Sequence, residues 1–217
     1  NLNVKFFGSH GGIQIGEDGA THQALEDFAV MRVIPNMKVF CPADAIEMKK
    51  MLPAILADYG PTYVRLGRQP VPVVHDDTYE FHMGKGSVLA EGNDIGIIAV
   101  GSLVASCLQA AERLRAEGIS VRVVNMSSLK PIDEKLIRET AEKVKVLVTA
   151  EDHQITGGLA GAVAEVLTAG GRPRTFHRIG MHDAFGESGK SADLYKKYKL
   201  DADGVYEQIK TWYNKNS

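Results

Sequence analysis

The feature that most constrains this chain is a regular alternation of short apolar runs with longer amphipathic ones. VKFF at residues 4–7 reads as a short buried strand. A loop with Gly8, Gly11, Gly12, Gly16 and Gly19 follows it. From about Thr21 the spacing predicts a helix to about Ile34. Its residues Leu25, Phe28, Ala29, Val30, Met31, Val33 and Ile34 leave so thin a polar stripe that it is expected to be largely buried. Pro35-Asn36 ends it. KVFCP at 38–42 is a second strand, and Asp44 with Glu47 forms an N-cap and N3 pair opening a helix to about Tyr59. Pro53 inside that pattern is expected to kink the helix or end it early. PTYVRLGR at 61–68 returns as a strand. Strand–helix–strand–helix–strand within 68 residues implies a parallel sheet with right-handed crossovers.

The stretch 69–85 loses this period. It carries prolines, aspartates and two histidines, His75 and His82, and reads as a solvated polar linker. The alternation then resumes from 86 to 217. GSVLAEG and DIGIIAVGS are strands, and Ser102 is placed to cap a helix ending at Gly118. SVRVVNM is a strand, Pro131 starts a helix to about Lys143, and VKVLVTAED is a strand. A small-residue helix at 156–167, a last strand RTFHRIG and two terminal helices complete an α/β chain of two domains. In EDHQITGGLAG the small residues favour close packing of a helix on a sheet or a partner chain over an anion site or a His153 presented to a cleft. Lys196, Lys197 and Lys199 read as a solvated helical face.

Composition narrows the function classes. The formal net charge of −2 gives no global attraction for nucleic acid or an anionic membrane. The apolar runs are far short of the roughly 20 residues that span a bilayer, so a cytoplasmic location is expected. Cys41 and Cys107 are distant and lack CxxC partners, which fits reduced thiols. G-x-S-x-G, Walker A, dinucleotide and HExxH patterns are absent from the sequence.

What remains is GEDGATHQALED at 16–27. Glycines let a backbone approach a ligand, and Asp18 and His22 can face one cavity, pairing a carboxylate with an imidazole that moves protons near neutral pH. His10 follows the first strand and Arg68 the third, where open α/β sheets gather ligands. Arg68 suits a phosphate through its planar fork. On spacing alone an ordinary strand-to-helix turn, a satisfied loop histidine and a surface salt bridge explain the same residues.

GSHGGIQIGEDGATHQALEDFAVMRVIPNMKVFCPADAIE resembles the second half of the pyrimidine-binding domain of transketolase, and TYVRLGRQ its last strand. MSSLKPID, TAEDHQITGGLAGAVAEVL and GESGKSADLYKKYKL are similar to that family's C-terminal domain. The resemblance implies 1–68 as the end of the pyrimidine domain, 69–85 as linker and 86–217 as the C-terminal domain. It also implies the pentose-phosphate reaction: transfer of a two-carbon ketol unit from a ketose phosphate to an aldose phosphate, with thiamine diphosphate. Asp18 would bond a hydroxyl beside the donor carbonyl, His22 would lie near the reacting carbons, and His10 and Arg68 would hold the substrate phosphate. Ser9-His10-Gly11, Ala20 and Leu66-Gly67-Arg68 depart from the common Thr-His-Asp, Pro and Leu-Ser-Arg. The family's Gly-Asp-Gly diphosphate motif is missing, since Glu17-Asp18-Gly19 lacks the first glycine. The activating glutamate would lie upstream of Asn1. The expectation is therefore a fragment or split subunit, inactive alone, whose N-terminal partner holds the cofactor and Mg2+ or another divalent cation, in a homodimer or heterotetramer. A deoxyxylulose-phosphate synthase fragment and a non-catalytic dimerisation or regulatory module are the alternatives.

Overall fold

The computed structural model describes residues 1–171 and 176–216. It is α/β with two mixed, mostly parallel sheets. In the first, β1 (Lys5–Gly8), β3 (Thr62–Arg65) and β2 (Lys38–Phe40) run parallel in that order. In the second the order is β4 (Ser87–Ala90), β6 (Val121–Asn125), β5 (Ile95–Ala99), β8 (Val146–Gln154) and β9 (Phe176–Met181). Only β4 runs antiparallel there, at one edge. The expected last strand is found from Phe176; Arg174 and Thr175 lie outside the described residues.

The sequence gives no sign of β7 (Ser128–Lys130), which leaves the second half of the chain to join the first sheet antiparallel to β2. It covers one edge of the three-stranded piece. Cys41 N–H donates to the Ser127 carbonyl at 2.8 Å. Lys130 Nζ donates to the carbonyls of Arg32 and Ile34, both at 2.7 Å, satisfying the C-terminal end of α1 (Asp27–Val33). The opposite edge, β1, is not the buried strand the apolar run suggests, because Phe6 and Phe7 are exposed.

α1 differs from expectation too. It begins at Asp27, because Gly12 N–H takes the Ala24 carbonyl at 2.9 Å and holds the preceding stretch in a loop. Val30 and Val33 of its apolar face are exposed. In α2 (Ala45–Ala57) Asp44 caps as expected, accepting from Glu47 N–H at 2.8 Å. Pro53 neither breaks nor shortens it: Pro53 and Lys49 are exposed, so water can serve the carbonyl that Pro53 leaves unpaired. α3 (Leu103–Ala116) lacks the Ser102 cap, since that hydroxyl pairs with Tyr195 Oη at 2.9 Å. α4 (Glu134–Lys143) starts three residues after Pro131, capped by Asp133. α5 (Leu159–Ala169), α6 (Ser191–Lys197) and α7 (Ala202–Asn216) complete the chain.

Hydrophobic packing crosses from one sheet to the other. Phe28, Met37, Val39 and Tyr63 pack with Ile98, Val100, Met126 and Leu159 in one buried cluster. Burying such side chains contributes about 1.5–3 kcal/mol each, so the two halves are energetically joined. The 69–85 stretch is anchored as well: Phe81 enters the core beside Phe40, and His75 is buried against Asp44 rather than solvated. Its ring lies 3.0 Å from Asp44, and Asn125 of β6 donates to Glu47 at 2.9 Å in the same cluster. His82 stays exposed beside Glu80, so the two linker histidines do not meet. Cys41 and Cys107 are free and buried.

Candidate active site

The candidate site grows from the loop between β1 and α1. His10 takes a left-handed backbone, φ 65, and among the described residues its exposed imidazole bonds only to Ser9 Oγ, at 2.9 Å. The chain then passes so close to β3 that a Cβ at Gly11 or Gly12 would overlap the Arg65 side chain. Residues Ile13–Asp18 form a 3₁₀ turn bent at Gly16, with Ile13, Gln14 and Ile15 buried as its root. Asp18 and Glu17 emerge from it exposed. The buried Gln23 amide ties the loop down, donating to the Gly16 carbonyl at 3.2 Å and the Glu187 carbonyl at 2.9 Å.

Two of the four expected residues meet directly. Arg68 Nη1 donates to Asp18 Oδ2 at 2.7 Å and to the Ile15 carbonyl at 3.0 Å, three residues beyond the end of β3. His22 is exposed on the same loop, with Nδ1 3.0 Å from Thr21 Oγ1. His10 and His22 bond to neither Asp18 nor Arg68, so the structure joins two of the four groups and leaves the two imidazoles exposed on the same loop. A charge-assisted pair fixes the carboxylate while leaving its second oxygen to accept a hydroxyl.

Beneath the loop lies a network that sequence reasoning missed. Arg65, 3% exposed, donates from Nη2 to the Asp152 carbonyl at 2.7 Å. Its Nη1 faces Asp27 at 3.5 Å, and the guanidinium lies 4.6 Å above the Phe28 ring. Burial works against its charge, but Asp27 and Asp152 outweigh that and hold it above its ordinary range. Asp152 accepts from Ile13 N–H at 2.8 Å and Tyr195 Oη at 2.9 Å; burial raises its carboxyl in spite of Arg65. Burial likewise pushes the Cys41 thiol up to about 12. A charged residue inside the apolar run TYVRLGR is the one sequence signal that could have revealed this floor.

The TGGLAG segment packs a helix on a sheet, as the small residues suggest. Its N-terminal amides are filled from within the chain: Leu159 and Ala160 N–H donate to Glu151 at 2.7 and 2.8 Å. Burial pushes the Glu151 carboxyl up to about 7. His153 is stacked on Phe28 with ring centroids 5.0 Å apart, not presented to a cleft. Asp44 fills the N-terminus of α2 in the same manner. Among the described residues no group of three or more His, Cys, Asp or Glu is arranged to hold a metal ion, and no helix is long and apolar enough to cross a membrane.

The sequence model of the transketolase pyrimidine-binding domain matches residues 1–73, and that of the transketolase C-terminal domain matches 84–205. A transketolase C-terminal section from Methanocaldococcus jannaschii is 45% identical over 96% of this chain and 66% of its own length. A 6-deoxy-6-sulfo-D-fructose transketolase subunit from Clostridium sp. is 42% identical over 93% of this chain and 62% of its own. An apulose-4-phosphate transketolase subunit from Phocaeicola vulgatus is 41% identical over 94% and 65%. The chain thus spans 62–66% of the length of these three relatives. Among solved structures, a split-gene transketolase in the form of an inactive beta4 tetramer superposes with a TM-score of 0.90 at 44% identity, covering 100% of this chain and 69% of that one. Transketolase of Campylobacter jejuni superposes at 0.78 with 25% identity, covering 95% of this chain and 31% of that one.

Proposed function

The chain belongs to the transketolase family, as the C-terminal section carrying its pyrimidine-binding and C-terminal domains, and from that premise we propose that it is the substrate-handling subunit of a split, thiamine diphosphate-dependent transketolase. The reaction proposed is transfer of a two-carbon ketol unit from a ketose phosphate to an aldose phosphate. The observation that carries this is the Arg68–Asp18 contact at 2.7 Å, on a loop that also carries the exposed His10 and His22. We divide the chain as 1–68 pyrimidine domain, 69–85 linker and 86–217 C-terminal domain.

In this reading Asp18, oriented by Arg68, accepts a hydrogen bond from the hydroxyl beside the donor carbonyl. His22 holds or releases a proton at the oxygens of the reacting carbons. His10 and the remaining donors of Arg68 bind the substrate phosphate. Thiamine diphosphate, when bound, supplies the carbon nucleophile for the chemistry. Among the described residues no cluster of three or more His, Cys, Asp or Glu is arranged to take its metal, and the N-termini of α2 and α5 are already filled by Asp44 and Glu151. That anchoring is assigned to an N-terminal partner subunit, in a homodimer or heterotetramer, and the chain alone is inactive.

Asp18→Ala and His22→Ala, each assembled with the partner, test the reading. Both are expected to lose about 10²-fold or more in kcat/KM while the circular dichroism spectrum is retained. Full activity in either variant would sink it. The runner-up, deoxyxylulose-phosphate synthesis, draws on a 38% identical relative from Caldanaerobacter subterraneus of which this chain covers 33%. Product from pyruvate and glyceraldehyde-3-phosphate would favour that reaction. A dimerisation or regulatory module predicts no rate effect from either substitution.

A further inference from the structure

The segment Gly186–Ser191 belongs to the C-terminal half, yet it lies against the loop that carries Asp18. Gln23 reaches the Glu187 carbonyl at 2.9 Å, and Ser191 Oγ donates to the Gln14 carbonyl at 2.5 Å. The approach is so close that a Cβ on Gly16 would stand 2.8 Å from Ser191 Oγ and 3.0 Å from the Gly189 carbonyl. A Cβ on Gly19 would overlap Ser188 Oγ. The glycines noted in the sequence thus do more than bend the loop: they let a second domain close over it.

Where the two meet, a cavity of about 330 Å³ opens. Its walls include Ile15 and Glu17 from the loop, Arg68 and Gln69 after β3, and Lys190 with Ser191 from the C-terminal half. Glu17 lines the cavity and Asp18 holds Arg68, so without Lys190 these groups would sum to one negative charge, and Lys190 is the cation that brings them to balance. Arg68 is moreover already spent in part on Asp18. An anion held by Arg68 alone would meet a cation largely neutralised by its own partner. Lys190 is uncommitted: it forms no side-chain hydrogen bond or ion pair among the described residues, whereas Lys197 nearby is held by Glu187 at 2.5 Å. Ser191, next to Lys190 in the chain, is pinned to Gln14, which keeps the lysine at the cavity.

We propose that Lys190 is a specificity-determining residue, supplied by the C-terminal domain, that joins Arg68 in receiving the phosphate terminus of the sugar substrate. A point-charge ammonium beside a planar guanidinium suits a tetrahedral dianion approached from two sides. The inference rests on the two-carbon-transfer reading for its substrate. It predicts something that reading does not: a substrate contact from the domain lacking the reacting groups.

The test uses the complex with the N-terminal partner. The ratio of kcat/KM for xylulose-5-phosphate to that for the neutral ketose L-erythrulose is measured in wild type, Lys190→Gln, Lys190→Glu and Lys190→Arg. The ratio is expected to fall about two- to fivefold in Lys190→Gln, as for loss of one exposed charge contact, through KM rather than kcat. It should fall further in Lys190→Glu and be largely restored in Lys190→Arg. In parallel, calorimetric titration with inorganic phosphate should show weaker binding in Lys190→Gln. A ratio unchanged in both Lys190→Gln and Lys190→Glu overturns the inference while leaving the transferase reading intact. A complex that transfers nothing, yet binds phosphate in a Lys190-dependent way, overturns the reaction and upholds the anion site. Lys190-independent phosphate binding in that case overturns both.

Discussion

Replacing Arg65 by Met asks how firmly the floor of the site is built. Arg65 is buried on β3, and four contacts end with it: the bonds to the Asp152 carbonyl at 2.7 Å and the Ala24 carbonyl at 3.4 Å, the 3.5 Å ion pair with Asp27 and the 4.6 Å stack on Phe28. A hydrogen bond from a charged donor is worth about 1.5–3 kcal/mol, and a desolvated cation–π contact about 2 kcal/mol. The larger cost is what remains, since Asp27 and Asp152 would stay buried without their cation. Removing one partner of a buried ion pair typically costs about 3–5 kcal/mol, and that is the expected loss here. With a urea slope of about 2–3 kcal/mol per molar, the unfolding midpoint should drop by roughly 1–2.5 M. Asp27→Asn together with Arg65→Met should be less damaging than the sum of the two single changes by at least about 1 kcal/mol, because a neutral amide in place of the Asp27 carboxylate would leave no orphaned charge there. A midpoint shift below about 0.5 M for Arg65→Met, or strict additivity in the cycle, would refute the claim that this cation is what holds the loop's floor together.

Two further perturbations follow from the same geometry. Gly12→Ala forces a side chain into φ 89 and onto the Asp152 carboxylate, whereas Gly118→Ala meets a similar φ of 84 but open space. Urea melts should therefore show a cost of about 1–3 kcal/mol from backbone strain for Gly118→Ala and clearly more for Gly12→Ala; equal costs would contradict the close approach. Glu151 is carried by burial from its ordinary 4.5 to about 7. The folded chain then holds a proton that the unfolded chain has released, so stability is highest below pH 4.5 for this group and is lost as pH rises to about 7. That slope totals roughly 3 kcal/mol. Denaturation followed across this window should flatten in Glu151→Gln, and an unchanged slope would remove Glu151 as its source.

The sequence made the alternation of strands and helices readable because apolar period and glycine or proline punctuation are local signals. GEDGATHQALED was readable as a site only through its resemblance to a family, since its spacing alone fits an ordinary turn. What escaped was non-local. β7 has three residues and no apolar run of its own; it becomes a strand because β2 offers an open edge. Val30 and Val33 look like core by period, yet nothing in the described chain packs over them. Arg65 sits where an apolar strand residue was expected, and only the fold brings Asp27 and Asp152 to it from 38 and 87 positions away. Lys190 carries no local signal of a site, standing just before the Lys196, Lys197 and Lys199 face that reads as solvated, and its cavity forms where Ser191 reaches Gln14 across 177 positions.

The central claim, that this chain carries the substrate side of a two-carbon transfer, is tested most directly by reconstitution. The chain is mixed with its N-terminal partner, thiamine diphosphate and Mg2+, and sedoheptulose-7-phosphate is measured from xylulose-5-phosphate and ribose-5-phosphate. Product is expected only when both polypeptides are present, and its loss when Asp18→Ala replaces the native chain. Product from this chain alone, or none from a correctly assembled complex, would contradict it.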